Sequence, residues 1–170
     1  MLARSATVFK WTLYALSGLL WAVIQAAVLR RVTLWGVIPF LYPLIAAIPA
    51  TLEGPVPGAV YALCTGVLCD LLLPVSIPCF YTLIFPLVGL VSGMLSRSLI
   101  PAGCLCSATA ALPAYLLTGL FHCLVFWVQG RAAWTAGLSV SVRELIVSLP
   151  WTVPMTLLLL RVYRRVHADD

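Results

Sequence analysis

The sequence predicts an all-α integral membrane protein with about six transmembrane helices. Three observations carry that prediction. Hydrophobic residues make up 63% of the 170 positions and charged residues only 9%, against about 25% charged in an ordinary soluble domain. Mean hydropathy is +1.10. Apolar runs recur at close to the ~20 residues that a helix needs to cross a hydrocarbon core of about 30 Å. The runs are continuous, whereas a membrane β-barrel would show ~10-residue segments of alternating polarity.

Read on that ruler, residues 1–170 form a single polytopic membrane domain with spans at 11–29, 33–51, 57–73, 79–96, 102–128 and 144–162. The first span opens after Arg4 and Lys10 and closes at Arg30-Arg31. It is too long for the apolar core of a cleaved signal peptide. Gly18, Ala22 and Ala26 mark a small-residue stripe on it. The second span carries Pro39, Pro43 and Pro49, and each proline removes a helical hydrogen bond, so a kinked rod is expected. The third begins after Glu53 and stops at Pro74. A very short linker to Pro78 forces the third and fourth spans into an antiparallel hairpin. Pro86 lies in the fourth span and Arg97 ends it. The fifth is long enough to tilt, or to bend at Pro113, and carries His122. Gln129 to Arg143 reads as the one long loop, with Trp134 suited to a headgroup-level segment or a short interfacial helix. The sixth span contains Pro150 and Pro154 and runs into Arg161, Arg164 and Arg165.

The stretch Glu53–Asp70 is the densest in signals. Gly58, Ala62, Gly66 and Asp70 are spaced by four, which puts them on one helical face. Gly89 and Gly93 repeat that spacing on the fourth span. Small faces let helices approach closely in lipid, so these are expected to pack on each other or on a partner helix. Asp70 is the one carboxylate that reads as clearly inside a span. It caps the hairpin, accepts from backbone amides or pairs with an arginine, or else it snorkels to the interface and only stops the helix. An even number of spans puts both termini on one side. Placing them in the cytoplasm leaves Arg4, Lys10, Arg97, Arg161, Arg164 and Arg165 inside, and Arg30, Arg31, Arg131 and Arg143 outside, as the positive-inside rule favours. Asp70 then lies near the outer face and Glu53 near the inner one.

Several functions are disfavoured by the residues. The net charge of +5 sits beside apolar runs, where topology and lipid headgroups account for it, and no basic stretch interleaved with aromatics points to nucleic acid. The six cysteines fall mostly inside apolar runs and read as small hydrophobes. Cys104 and Cys106 lack a second ligand pair, so no metal or other cofactor is expected. No GxxxxGK[ST] loop occurs. No serine, histidine and acid group together as a nucleophilic centre needs, and a lone His122 reads as a packed residue. An enzyme is therefore not expected. An ion-driven carrier would want several ionisable groups at mid-membrane, and these are scarce.

Around residues 36–96 the chain resembles the rod shape-determining MreD family, as a divergent member. The matching features are Pro39, Gly58, the run Gly66-Val67-Leu68-Cys69-Asp70, and Val88-Gly89-Leu90 with Gly93. Two features depart from the family pattern: Pro78-Cys79 stands where Leu-Gly commonly opens the second hairpin helix, and the Gly-Leu-Leu-x-Asp run is altered. The resemblance implies a fold similar to the substrate-binding subunits of energy-coupling-factor vitamin transporters. It implies a non-enzymatic role in the bacterial cell membrane, as a scaffold of the cell-wall elongation complex that helps determine cell shape. The partners it implies are a bitopic MreC-like protein, a RodA-like glycosyltransferase, a class B penicillin-binding protein and MreB filaments, besides membrane lipid. Gly58, Ala62, Gly66, Asp70, Gly89 and Gly93 are the residues expected to serve packing or partner binding. The alternative is a vitamin-transporter substrate-binding subunit, for which Ala22 and Ala26 supply an AxxxA but few polar groups suggest a pocket.

Overall fold

The computed structural model describes residues 2–73, 77–98, 103–130 and 134–167. It contains helices α1 (Leu2–Ala27), α2 (Tyr42–Glu53), α3 (Pro55–Leu72), α4 (Phe80–Ser98), α5 (Cys104–Val128), α6 (Trp134–Ser148) and α7 (Thr152–His167), with 3-10 turns at Leu29–Arg31 and Leu149–Trp151. Five stretches are long and apolar enough to cross a membrane: Thr7–Arg31, Pro55–Leu72, Phe80–Ser98, Cys104–Val128 and Gly137–Arg164. The expected stop at Pro74, Arg131 and the acidic end Asp169-Asp170 lie outside the described residues. So do the side chains of Arg4, Trp134 and Arg165.

The third, fourth and fifth expected spans coincide with α3, α4 and α5 to within a few residues. The second does not. Instead of a kinked rod over 33–51, Leu34 and Val37 pair across a tight turn. Trp35 and Gly36 sit there at φ 54° and 77°, the two positive values that a primed hairpin turn requires. The chain then runs non-helically to Leu41, and α2 begins only at Tyr42. Proline chemistry explains the late start. In one helix the ring of Pro43 would press on the carbonyl of Pro39. The helix therefore begins after Pro39, with Pro43 in its first turn, where no N–H is needed. At 12 residues α2 is about 18 Å long, too short to cross a bilayer alone.

Its position makes up for its length. Every residue from Tyr42 to Leu52 is buried. The core is built on this helix, with Leu44, Ile48, Phe85, Val88 and Met155 enclosed from several sides. α3 and α4 pack on it and on each other, and α5 and α7 close further faces. α1 touches α7 and, less extensively, α2.

The non-helical lead into α2 is held by side chains from three other helices. Gln25 Nε2 donates to the Pro39 carbonyl (2.6 Å), and the Leu41 N–H donates to Gln25 Oε1 (3.1 Å). The Phe40 N–H donates to Ser148 Oγ at 3.1 Å. The Tyr115 hydroxyl donates to the Phe40 carbonyl at 2.5 Å. Irregular backbone survives at membrane depth only where protein groups take over its hydrogen bonds. Gln25, Tyr115 and Ser148 do that here.

The last expected span is also redrawn. Residues read as a loop from Gln129 to Arg143 are helical from Trp134 onward, and α6 and α7 form one apolar run broken at Leu149–Trp151. Gly137, Ser139 and Ser141 suggest a loop by composition, yet lipid leaves backbone groups no water to bond, so the helix persists. The break falls at Pro150 and Pro154, each lacking the N–H that a continuous helix uses.

Replacing Gln25 with Leu keeps the volume but orphans the Pro39 carbonyl and the Leu41 N–H. The expected loss is about 2 kcal/mol or more, read as a lower unfolding midpoint of the detergent-solubilised protein. An unchanged midpoint would show that the clamp is dispensable.

Candidate functional site

The small-residue faces of α3 and α4 meet inside the molecule. A methyl at Gly66 would lie 2.6 Å from the Tyr81 carbonyl oxygen, and one at Gly89 would lie 2.8 Å from that of Gly58 and 2.9 Å from the Ala62 methyl. At Gly93 it would come within 2.5 Å of the Pro55 nitrogen, and at Gly58 it would collide with Ala50 of α2. Gly58, Ala62, Gly66, Gly89 and Gly93 are all buried. Their faces are therefore occupied by this chain's own helices.

Asp70 fastens the other end of the hairpin. Its Oδ1 accepts from the Tyr81 N–H at 3.0 Å, and its Oδ2 accepts from the Thr82 N–H at 2.9 Å and the Thr82 hydroxyl at 2.6 Å. These two amides belong to the first turn of α4, where N–H groups have no helical partner. Asp70 thus acts as an N-cap supplied by the neighbouring helix, with the favourable sign for the α4 dipole. Of the roles open to it in the sequence, capping the hairpin and accepting from backbone amides are the ones its contacts describe.

Glu53 is the last residue of α2 and accepts from Lys10 Nζ at 2.7 Å and from the Tyr14 hydroxyl at 2.8 Å. The side chains of the pair are only 15% and 9% exposed, so the interaction is shielded and ties α1 to the α2–α3 corner. Gly54 turns that corner at φ 95°, and the Arg97 guanidinium lies against it. One end of the molecule therefore gathers Lys10, Glu53 and Arg97, while Asp70 stands at the far end of α3.

Two openings stand out among the described residues. The larger, about 920 Å³, runs between α1 and α3 over a floor of Tyr42 and Ile45. Ala15, Leu16, Val60 and Cys64 are among its walls, and all four are exposed on the surface that lipid would cover. Tyr61 spans its base, its hydroxyl donating to the Tyr14 carbonyl at 3.1 Å. The smaller, about 360 Å³, lies between α5 and α6 and holds His122, Ser141 and Glu144. The Tyr81 hydroxyl and His122 Nε2 are hydrogen-bonded at 3.2 Å. His122 also stacks on Phe80, with ring centroids 4.8 Å apart. It is packed, as its apolar setting suggests, and it also lines an opening.

Glu144 corrects the expectation that Asp70 is the only carboxylate well inside a span. It lies about two helical turns inside the start of the Gly137–Arg164 run and faces the smaller opening. The misplaced loop boundary put it at a span edge. Gln25 was not marked by the sequence at all, although a lone amide near the end of an apolar run, followed by prolines, is the available signal. The Ala22–Ala26 pair divides, with Ala22 buried and Ala26 exposed. Comparison of the chain with protein-family models, with characterised proteins and with solved structures finds no match.

Truncating Asp70 to Ala removes the cap of α4. Hydrogen exchange at the Tyr81 and Thr82 amides should accelerate at least tenfold, with stability falling by about 1–2 kcal/mol. Exchange that stays at the wild-type rate would contradict the capping role.

Proposed function

We propose that this multi-pass membrane protein is a non-enzymatic scaffold of the bacterial cell-wall elongation complex, and that it receives the single membrane helix of an MreC-like partner in the groove between α1 and α3. The observation that carries the proposal is the groove itself. Its α3 wall from Pro57 to Leu68 runs for about 17 Å, or three helical turns. It is apolar and lies open on one side between two membrane-crossing helices. Ala15 keeps the α1 wall low, which is what close helix docking in lipid calls for, while the small face of Gly18 is taken by Tyr61. The resemblance of residues 36–96 to the MreD family supplies the identity of the partner.

The glycine faces enter this proposal indirectly. Gly58, Gly66, Gly89 and Gly93 consolidate α2, α3 and α4 into a firm block, and the groove uses the opposite side of α3. The lead into α2 and α2 itself run from the Gln25 end of α1 to its Lys10 end, a sixth crossing beside the five long apolar stretches. The termini then share one side, and the positive-inside balance supports the cytoplasm, with the Lys10–Glu53 end facing it.

The test is a gentle-detergent pull-down of the tagged chain from its own membranes, read by mass spectrometry for proteins and small molecules. A bitopic coiled-coil partner or a cell-wall synthase is expected. Ala15→Trp or Cys64→Trp, each filling the groove, should cut that recovery at least tenfold while the protein still elutes as a single species. Recovery of a vitamin-like molecule with a coupling ATPase, and of no wall-synthesis protein, would replace the scaffold with a transport subunit.

A further inference from the structure

The opening between α5 and α6 has a chemistry that the scaffold role does not use. Glu144 stands in its wall, partly buried, with no hydrogen bond or ion pair to it among the described residues. A carboxylate inside an apolar span is costly unless a cation or donor answers it. Arg143, the adjoining residue, is exposed and points about 100° away around the helix. No lysine or arginine lines the opening among the described residues.

The rest of the lining fits a cation as well. Phe126 and His122 stack with centroids 6.3 Å apart, and His122 continues the stack onto Phe80. Aromatic faces attract ammonium groups. His122 Nε2 is engaged by Tyr81. The Ser141 hydroxyl donates to the Gly137 carbonyl, which leaves its oxygen lone pairs as acceptors beside Glu144. The site thus offers one charged acceptor, one neutral acceptor and aromatic walls in about 360 Å³, near the lower limit of small-ligand pockets. A metal ion is a poor fit, because no three His, Cys, Asp or Glu side chains gather among the described residues.

We infer that the α5–α6 opening binds a primary ammonium group, which donates to Glu144 and Ser141 against the Phe126–His122 stack. Val140 and Phe126 border the site and are 44% and 39% exposed, so it is open toward lipid as well as along the helices. The ammonium can therefore come from a phosphatidylethanolamine headgroup or from a free small amine. The inference does not depend on the groove between α1 and α3.

The full chain in nanodiscs separates the two sources. One arm uses pure phosphatidylcholine discs and titrates ethanolamine by calorimetry. The other uses discs containing phosphatidylethanolamine and reads retained lipid by native mass spectrometry. Saturable binding in the first arm assigns a free amine, and selective retention in the second assigns the headgroup. In whichever arm binds, Glu144→Gln should weaken binding at least tenfold. Val140→Phe, which fills the opening and leaves the carboxylate intact, should do the same while the protein elutes normally. No binding in either arm by the wild type, or binding unchanged in both variants, overturns the assignment.

Discussion

The structure depends on how three residues of non-helical backbone are kept bonded at membrane depth. Pro39 and Phe40 make no helical hydrogen bonds, and Leu41 makes them only through its carbonyl, which accepts from the Leu44 and Ile45 N–H groups; lipid would leave the remaining groups unsatisfied. Gln25, Tyr115 and Ser148 supply the missing partners from α1, α5 and α6. That arrangement lets a 12-residue helix occupy the centre of the molecule. Once α2 is central and buried on all sides, α3 and α4 have a surface to pack on that is protein and not lipid. A short buried helix also explains why the chain needs so many small residues around it. Ala50 on α2 lies against Gly58, Ala46 and Ala47 on the same helix are fully buried, and backbones approach where side chains are absent.

Rigidity and openness are divided between different elements. The α2–α3–α4 block is closed by glycine contacts at Gly58, Gly66, Gly89 and Gly93 and fastened by Asp70 across the hairpin. α1 is tied by Lys10–Glu53, by the Tyr61 hydroxyl on the Tyr14 carbonyl and by Gln25, and outside these contacts leaves the groove open beside α3. α5 and α6 touch closely at Gly119–Ser141 and Gly137–Cys123, yet leave space around Glu144. Both openings thus lie beside the block, where occupancy would not disturb the core. The two differ in chemistry: the groove on α1 is lined mainly by apolar side chains, with hydroxyls of Thr12, Thr65 and two tyrosines as its polar groups, whereas the one on α5 carries a charge.

Much of this was legible in the residues because lipid simplifies the code. Continuous apolar runs located α3, α4 and α5 closely, since hydropathy and length decide such helices. The spacing of Gly58, Ala62, Gly66, Gly89 and Gly93 pointed to a close hairpin for the same reason. What composition obscured was the effect of prolines on chain path. Pro39, Pro43 and Pro49 allow either one kinked span or a break, and tertiary hydrogen bonds from residues up to 108 positions away decide for the break. The start of α6 was obscured in turn, because glycine and serine signal loops in water but not in lipid. Glu144 was placed at a span edge by that single error, so the charged opening was not foreseen.

The partners of the Pro39–Leu41 stretch also set an order in time. Gln25 is synthesised before this stretch, so the Pro39 and Leu41 groups find their partner as soon as they leave the ribosome. Phe40 must wait for Tyr115 and Ser148, which follow it by 75 and 108 residues. At about 5–20 residues per second, the delay before Ser148 exists is roughly 5–20 s. During that interval the second segment cannot settle in free lipid without leaving backbone groups unpaired. Until the last helices arrive, Gln25 of α1 is the side chain that can answer its backbone groups.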